Sequence, residues 1–186
     1  MIEAPTEVGQ TGILRFPDGS WLELRPVGVR DGRLLASLAH QLSTESAFRR
    51  FLVPGRSLHG QWVARLIAAD QVDALVEGAV ATNQFGSSLV AVAESIRYPD
   101  RPDIAEFALV AADPWQNMGV GTLLARHLAA RALDTGVRLW EAIMLSGNGA
   151  MAGVLDSVGP KVDERVEQGL VTAVHRLLEP SDRSQG

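Results

Sequence analysis

The sequence has no cysteine. Disulfides, thiolate metal ligands and a cysteine nucleophile are therefore excluded, and the absence fits a reducing compartment. There is one lysine, Lys161, and one tyrosine, Tyr98. No Gly-Lys-Ser/Thr occurs, so there is no Walker loop. No run of about 18 apolar residues exists, so no membrane span is expected. The N-terminal MIEAPTEVGQ lacks the basic region and apolar core of a secretory signal. His40, His59, His127 and His175 show no spacing such as H-E-x-x-H, so no metal site is expected. The net charge of −5 argues against a general nucleic-acid binder but leaves room for a basic or amine-bearing substrate. These absences together predict a cytoplasmic protein without nucleic-acid or membrane partners.

What is present suits one globular domain. The chain has 186 residues, 46% apolar and 21% charged, enough for a substantial core. No repeat or linker interrupts it, so residues 1–186 read as a single domain, with residues 1–11 and 179–186 as polar, flexible tails. Residues 12–16 and 20–27 read as a hairpin about Pro17-Asp18-Gly19. Asp31 can cap a helix bearing Leu34, Leu35, Leu38 and Leu42. Ser43 can cap a second, with Phe48, Phe51 and Leu52 on its apolar side and Pro54-Gly55 as its stop. Ser57 starts a third, with Leu58, Trp62, Leu66 and Ile67 on one stripe. Arg49 and Arg50 are either a solvated helix face or contacts to a ligand. Residues 73–82 and 87–98 read as an antiparallel pair, with 99–102 as a loop. Gly136 is a helix stop, 138–145 a strand, and Asn148 the cap of a short helix that Gly159-Pro160 ends. Residues 161–167 and 170–177 form a hairpin about Gln168-Gly169.

The most informative stretch is 104–131, IAEFALVAADPWQNMGVGTLLARHLAAR. An apolar run broken only by Glu106 ends at Asp113-Pro114, because proline lacks the N–H that a sheet ladder uses. Gln116-Asn117-Met118-Gly119-Val120-Gly121 leads into a helix with Val120, Leu124 and Leu128 on its apolar face. Glycines at a helix start leave its unpaired N–H groups uncovered, where the macrodipole favours an anion. The loop is therefore either a phosphate cradle or a plain turn. It is not a dinucleotide fingerprint, since Leu124 stands where the third glycine would be.

Gln116-x-x-Gly119-x-Gly121, placed between strand and helix, resembles the acetyl-CoA motif of the GCN5-related N-acetyltransferases (GNAT). The order of elements over residues 20–178 resembles that family too, and SxESAFRRF at 43–51 loosely resembles its bacterial protein-lysine acetyltransferases. The resemblance implies an α/β (α+β) fold: a central mixed, mostly antiparallel sheet of about seven strands, flanked by helices on both faces. It implies acetyl-CoA as cosubstrate and a primary amine, protein lysine or small molecule, as acceptor. Backbone N–H groups of Gln116, Asn117, Met118, Gly119, Val120 and Gly121 would hold the pyrophosphate, with the Thr122 hydroxyl. Main-chain groups of Leu109, Val110 and Ala111 would pair with the pantetheine arm, and Asn148 would touch it from the other side or serve only as a helix cap. His127, beside the cofactor helix, reads as a surface residue, and Met144 and Met151 as core.

Acetyl transfer needs a neutral amine. A lysine-like amine, with pKa about 10.4, is neutral in about one molecule in 2,500 at pH 7, so a positioned base helps. Glu106 lies on the strand that delivers the cofactor loop, and the resemblance implies that it is this base. Partial burial in its apolar run would raise its proton affinity, and the alternative is a structural carboxylate. Glu94 and Glu77 are second choices. Many family members carry a tyrosine acid in the helix after the next strand, but residues 148–157 contain none, which leaves Ser146, water or no acid. Without cysteine, direct attack in a ternary complex is expected. A homodimer through a sheet edge is possible. The alternative function is a non-catalytic acyl-CoA-binding regulatory module.

Overall fold

Residues 74–98 supply the longest hairpin, and the sheet grows outward from it. The computed structural model describes residues 7–8, 13–15, 19–52 and 59–179. Valine and alanine dominate β4 (Ala74–Asn83) and β5 (Gly86–Tyr98), whose central residues are buried on both faces. Small and β-branched runs behave this way when helices cover both sides of a sheet. Ahead of the hairpin come β1 (Glu7–Val8), β2 (Ile13–Arg15) and β3 (Trp21–Pro26), then α1 (Gly32–Gln41), α2 (Thr44–Phe51) and α3 (His59–Ile67). After it come β6 (Arg101–Ala111), α4 (Val120–Asp134), β7 (Leu139–Leu145), α5 (Gly149–Asp156), β8 (Lys161–Glu167) and β9 (Leu170–Arg176).

The described strands form one nine-stranded sheet in the order β1-β2-β3-β4-β5-β6-β7-β9-β8. All its pairings are antiparallel except β6 with β7. Period-2 alternation sorts the side chains into two cores. Leu75, Ala79, Ala93, Phe107 and Trp140 belong to the core shared with α4 and α5. Val76, Val80, Val92 and Val110 belong to the core shared with α1, α2 and α3. Phe107 stacks on Trp140 with ring centroids 4.2 Å apart and planes 13° from parallel. Trp140 Nε1 donates to Ser95 Oγ at 2.9 Å, so its buried polar atom is satisfied. Among the described residues no helix is long and apolar enough to cross a membrane.

The expected mixed sheet with helices on both faces is present, with nine strands rather than about seven. Part of the surplus lies at one edge: Glu7–Val8, in the region expected to be a tail, pairs with β2. Ser43 caps α2 as expected, its side chain accepting from Ser46 N at 3.1 Å. Asp31 stands at the α1 N-cap but turns its carboxylate backward, accepting from Arg25 at 2.6 and 3.0 Å and from Gly28 N at 3.0 Å. Phe48, assigned to the apolar side of α2, is exposed; Ser46 and Ala47 are the buried residues there. β6 starts at Arg101 rather than after Pro102. Residues between Arg101 and Ala105 stand outside the β5–β6 register, so Pro102 owes no ladder donor there. The calls on Pro17, Asp18, Pro54, Gly55, Ser57 and Leu58, and on the tail beyond Glu179, lie outside the described residues.

Candidate active site

The site exists because two neighbouring strands part. β6 and β7 pair in parallel at only three positions: Ile104 with Leu139, Ala105 with Trp140 and Glu106 with Glu141. Beyond them β6 keeps its ladder to β5 as far as Ala111, and β7 keeps its ladder to β9 as far as Leu145. The facing edges are left free of each other. A cavity of about 400 Å³ opens there, walled by Leu109, Val110 and Ala111 on one side and Asn148, Met151 and Val154 on the other.

The glycine loop closes the cavity at one end. Residues 113–115 make a single 3-10 turn with proline in its first positions. Asn117 takes φ 59° and Gly119 φ 79°, so the chain reverses twice before α4 begins. Gly119 is the N-cap of α4 and supplies no side chain to the first N–H groups. Gln116, Asn117, Gly119, Gly121 and Thr122 all line the cavity. This is an electropositive helix end with room in front of it, fit for an anion such as a pyrophosphate. A Cβ on Gly121 would meet Leu109 Cδ2 at 3.4 Å and Val154 Cγ2 at 3.6 Å, so the glycine keeps that wall thin. Met118 and Val120 do not line the cavity; their side chains pack on the core and leave only main chain for a ligand. Asn148 caps α5, its Oδ1 accepting from Met151 N at 3.2 Å, and it also lines the cavity.

The side chain of Gln116 is spent inside the protein. Its Nε2 donates to Ser46 Oγ at 2.9 Å, to Ala111 O at 3.1 Å and to Asp113 Oδ1 at 3.3 Å. Ser46 Oγ in turn donates to Asp113 Oδ1 at 2.7 Å. This knot ties the start of α2 to the loop. Burial pushes the Asp113 carboxyl up, but hydrogen bonds from Ser43 and Ser46 outweigh it and hold the group below its ordinary range. Sequence reasoning missed Ser46 and read Asp113 only as the end of a strand. No local signal pairs residues 67 positions apart.

Glu106 opens onto a second cavity of about 250 Å³. The two cavities share Arg49, Arg50, Leu109, Asn148 and Met151 as lining, so the strand that walls the first cavity carries Glu106 into the second. Glu106 is exposed, not half-buried as its apolar neighbours suggested. Flanking residues 105 and 107 face the opposite core, and the parting of β6 from β7 opens the Glu106 face to solvent. The two second-choice acids are engaged elsewhere. Glu94 is buried between Arg50 and Arg65, the latter at 2.9 Å. Glu77 is fully buried on the α4 side, held by Arg131 and by His127 at 3.3 Å. His127 is thus half-buried rather than a surface residue, and burial lowers its proton affinity.

Arg49 and Arg50 both line the two cavities but differ in burial. Arg49 is a solvated helix residue paired with Glu45 at 2.6 Å. Arg50 is almost wholly buried; loss of hydration, with the nearby Arg65 charge, pushes its pKa down to about 10 while the Glu106 carboxylate opposes this. Met144 is core, and Met151 packs against it while both line the second cavity. Ser146 is exposed and lines neither cavity. Tyr98 donates its hydroxyl to Glu141 Oε1 at 2.7 Å.

No family model matches the chain. Acetyltransferase Pat of Mycolicibacterium smegmatis is 30% identical over 144 residues, covering 76% of this chain and 41% of that protein. The chain therefore spans less than half the length of that curated relative. The GNAT domain of S. lividans PAT has 28% identity and a TM-score of 0.75, covering 92% of this chain and all of that one. The Salmonella typhimurium protein yncA, solved with its cofactor acetyl-CoA, shares the fold at 14% identity and a TM-score of 0.65, covering 86% of this chain and 95% of that one. All three carry acetyltransferase or GNAT names. In sequence and in fold the chain resembles the GCN5-related N-acetyltransferases, and among them the protein acetyltransferases.

Proposed function

We propose that the chain transfers an acetyl group from acetyl-CoA to a primary amine, on a protein lysine or a small molecule, by direct attack in a ternary complex. The observation that carries this reading is the coincidence, in one cavity, of a bare helix N-terminus and a strand edge released from its neighbour. Main-chain groups on the free edge of β6, at Leu109 and Val110, pair with the pantetheine arm as an added strand would. Ala111 O is already bonded to Gln116, so Ala111 contributes its N–H side and its wall. The first N–H groups of α4, with the Thr122 hydroxyl, hold the pyrophosphate, and Asn148 closes the arm from the β7 side. Glu106 takes the ammonium proton, the amine nitrogen bonds to the acyl carbon as the carbon–sulfur bond breaks, and the second proton that the nitrogen sheds on becoming an amide passes through water to the departing thiolate.

The strands described share one sheet, which supports reading them as a single domain. A homodimer through a sheet edge would use β8, which is exposed along its whole length. Its charges at Lys161, Asp163, Glu164, Arg165 and Glu167 oppose uncontrolled pairing. The reading as a non-catalytic acyl-CoA-binding module draws on a specific observation: the sole tyrosine is hydrogen-bonded to Glu141, and α5 carries no tyrosine. Release of CoA thiol in the presence of a lysine peptide decides between them. The transferase reading expects turnover in the native chain and its collapse in Glu106→Gln with acetyl-CoA binding kept. Binding without turnover in either chain would leave the module.

A further inference from the structure

Glu106 shares the second cavity with three cations. Arg49, Arg50 and Arg65 line it, and among the described residues Glu106 is the only acid that does. Arg49 is matched by the exposed Glu45 at 2.6 Å. Arg50 and Arg65 share one buried carboxylate, that of Glu94. Arg50 has the stronger need of it. The Arg50 side chain is largely buried, with its guanidinium 5.4 and 6.0 Å from the Phe51 and Trp62 ring centroids, and a buried cation requires a fixed counter-charge. Arg65 differs: its side chain is 52% exposed. Only its Nη2 is engaged, at 3.1 Å from Glu94 Oε1 and 2.9 Å from Oε2. Among the described residues its Nε and Nη1 donate to nothing.

Register fixes where this cation stands relative to the base. Glu106 pairs with Ile96 on β5, and Glu94 lies two residues from Ile96 on the same face. Diagonal neighbours of this kind are roughly 7–8 Å apart. Arg65, seated on Glu94, is therefore within a short acceptor's length of Glu106. The charges of the empty pocket balance, three arginines against Glu45, Glu94 and Glu106. The charges beyond it balance among themselves, Glu141 with Arg101 at 3.9 Å and Asp163 with Arg165 at 3.6 Å. An incoming ammonium leaves the filled pocket with one positive charge in excess. A carboxylate on the same acceptor restores the balance.

We infer that Arg65 is a specificity-determining residue that binds a carboxylate carried close to the acceptor amine. That group is either an acidic side chain beside a lysine or the acid group of a free amino acid. The inference rests on reading the site as an acetyltransferase with Glu106 as its base. A charge-assisted hydrogen bond from Nε or Nη1 holds the carboxylate, while Arg50 keeps Glu94, and through it Arg65, in place.

Two acceptor pairs test this on the full chain: a lysine peptide with aspartate or asparagine beside the lysine, and a straight-chain ω-amino acid with its amide. A carboxylate acceptor should exceed its neutral twin by roughly threefold to tenfold in kcat/KM, mostly through KM. The advantage should shrink as salt rises. It should fall to about one in Arg65→Gln and survive in part in Arg65→Lys, with KM for acetyl-CoA unchanged in both. An advantage confined to the peptide pair assigns the carboxylate to a protein acceptor, and one confined to the amino-acid pair assigns it to a small molecule. A ratio of one in the native chain for both pairs overturns the inference, as does an advantage that persists in Arg65→Gln. Equilibrium binding of the same acceptors to the acetyl-CoA-loaded chain keeps the two readings apart. Tighter binding of the carboxylate acceptor that needs Arg65, in a chain that acetylates neither pair, removes the transferase reading and leaves the carboxylate site standing. No turnover and no preference in binding would remove both.

Discussion

At the scale of the residue, Glu106 and Tyr98 carry the sharpest expectations. Glu106→Gln removes the proton acceptor and should lower kcat by roughly 10²- to 10⁴-fold, while acetyl-CoA raises its melting temperature as in the native chain. An activity within threefold of native would move the base elsewhere. Tyr98 is the single phenol, so absorbance of tyrosinate titrates it alone. Burial first, and then Glu141, raise its pKa above the ordinary 10.0. The native midpoint should lie above that value and return to about 10 in denaturant. The sign follows: a raised native pKa gives stability that is complete below the unfolded value and is lost as pH climbs through the native one. A native midpoint at 10 would contradict the Tyr98–Glu141 bond. The position of Glu106 was legible because an acid breaks an apolar run. Its exposure was not, because the opening beside it depends on where β7 turns away. Arg50 was equally opaque: its buried partner Glu94 lies 44 positions away by sequence number, beyond any helical pattern.

At the scale of the element, α2 and α4 frame the larger cavity, and each is fixed by a start signal. The Ser43 cap of α2 was readable from the chain, and Ser43→Ala should cost about 1 kcal/mol. That is a fall in melting temperature of roughly 2–4 °C for a chain of this size. The α4 start is a glycine problem. Gly119 sits at φ 79° with open space around it, so Gly119→Ala should lose about 1 kcal/mol through strain alone. At Gly121, by contrast, a Cβ makes ordinary contacts. Gly121→Ala should therefore fold normally, and Gly121→Glu should fold yet fail to bind acetyl-CoA through bulk and charge at the anion end. Normal affinity in Gly121→Glu would misplace the cradle. The Ser43 and Asn148 caps, the β4–β5 hairpin and the glycine loop were legible because each is governed by neighbouring residues. The strand containing Pro102 and the edge strand β1 were not, since only the partner strands make them extended.

For the molecule as a whole, the sheet supports helices on both faces and opens at a single parallel seam. Phe107, one residue past the last paired position on β6, stacks on Trp140, one residue before it on β7, on the α4 side. This packing holds β6 and β7 together at one end while they part at the other. The family and its layered fold were visible in the order of elements, but the seam was inferred only through the resemblance, because strand order is a long-range property. The central claim is that this opening is an acetyl-CoA groove. Thermal unfolding with excess acetyl-CoA, set beside ATP and NAD, tests it most directly. At 100 times its dissociation constant a ligand adds about 2.7 kcal/mol to native stability. A rise of roughly 5–10 °C with acetyl-CoA, absent with ATP and NAD and lost in Gly121→Glu, is the predicted result. No rise at saturating acetyl-CoA would contradict the account.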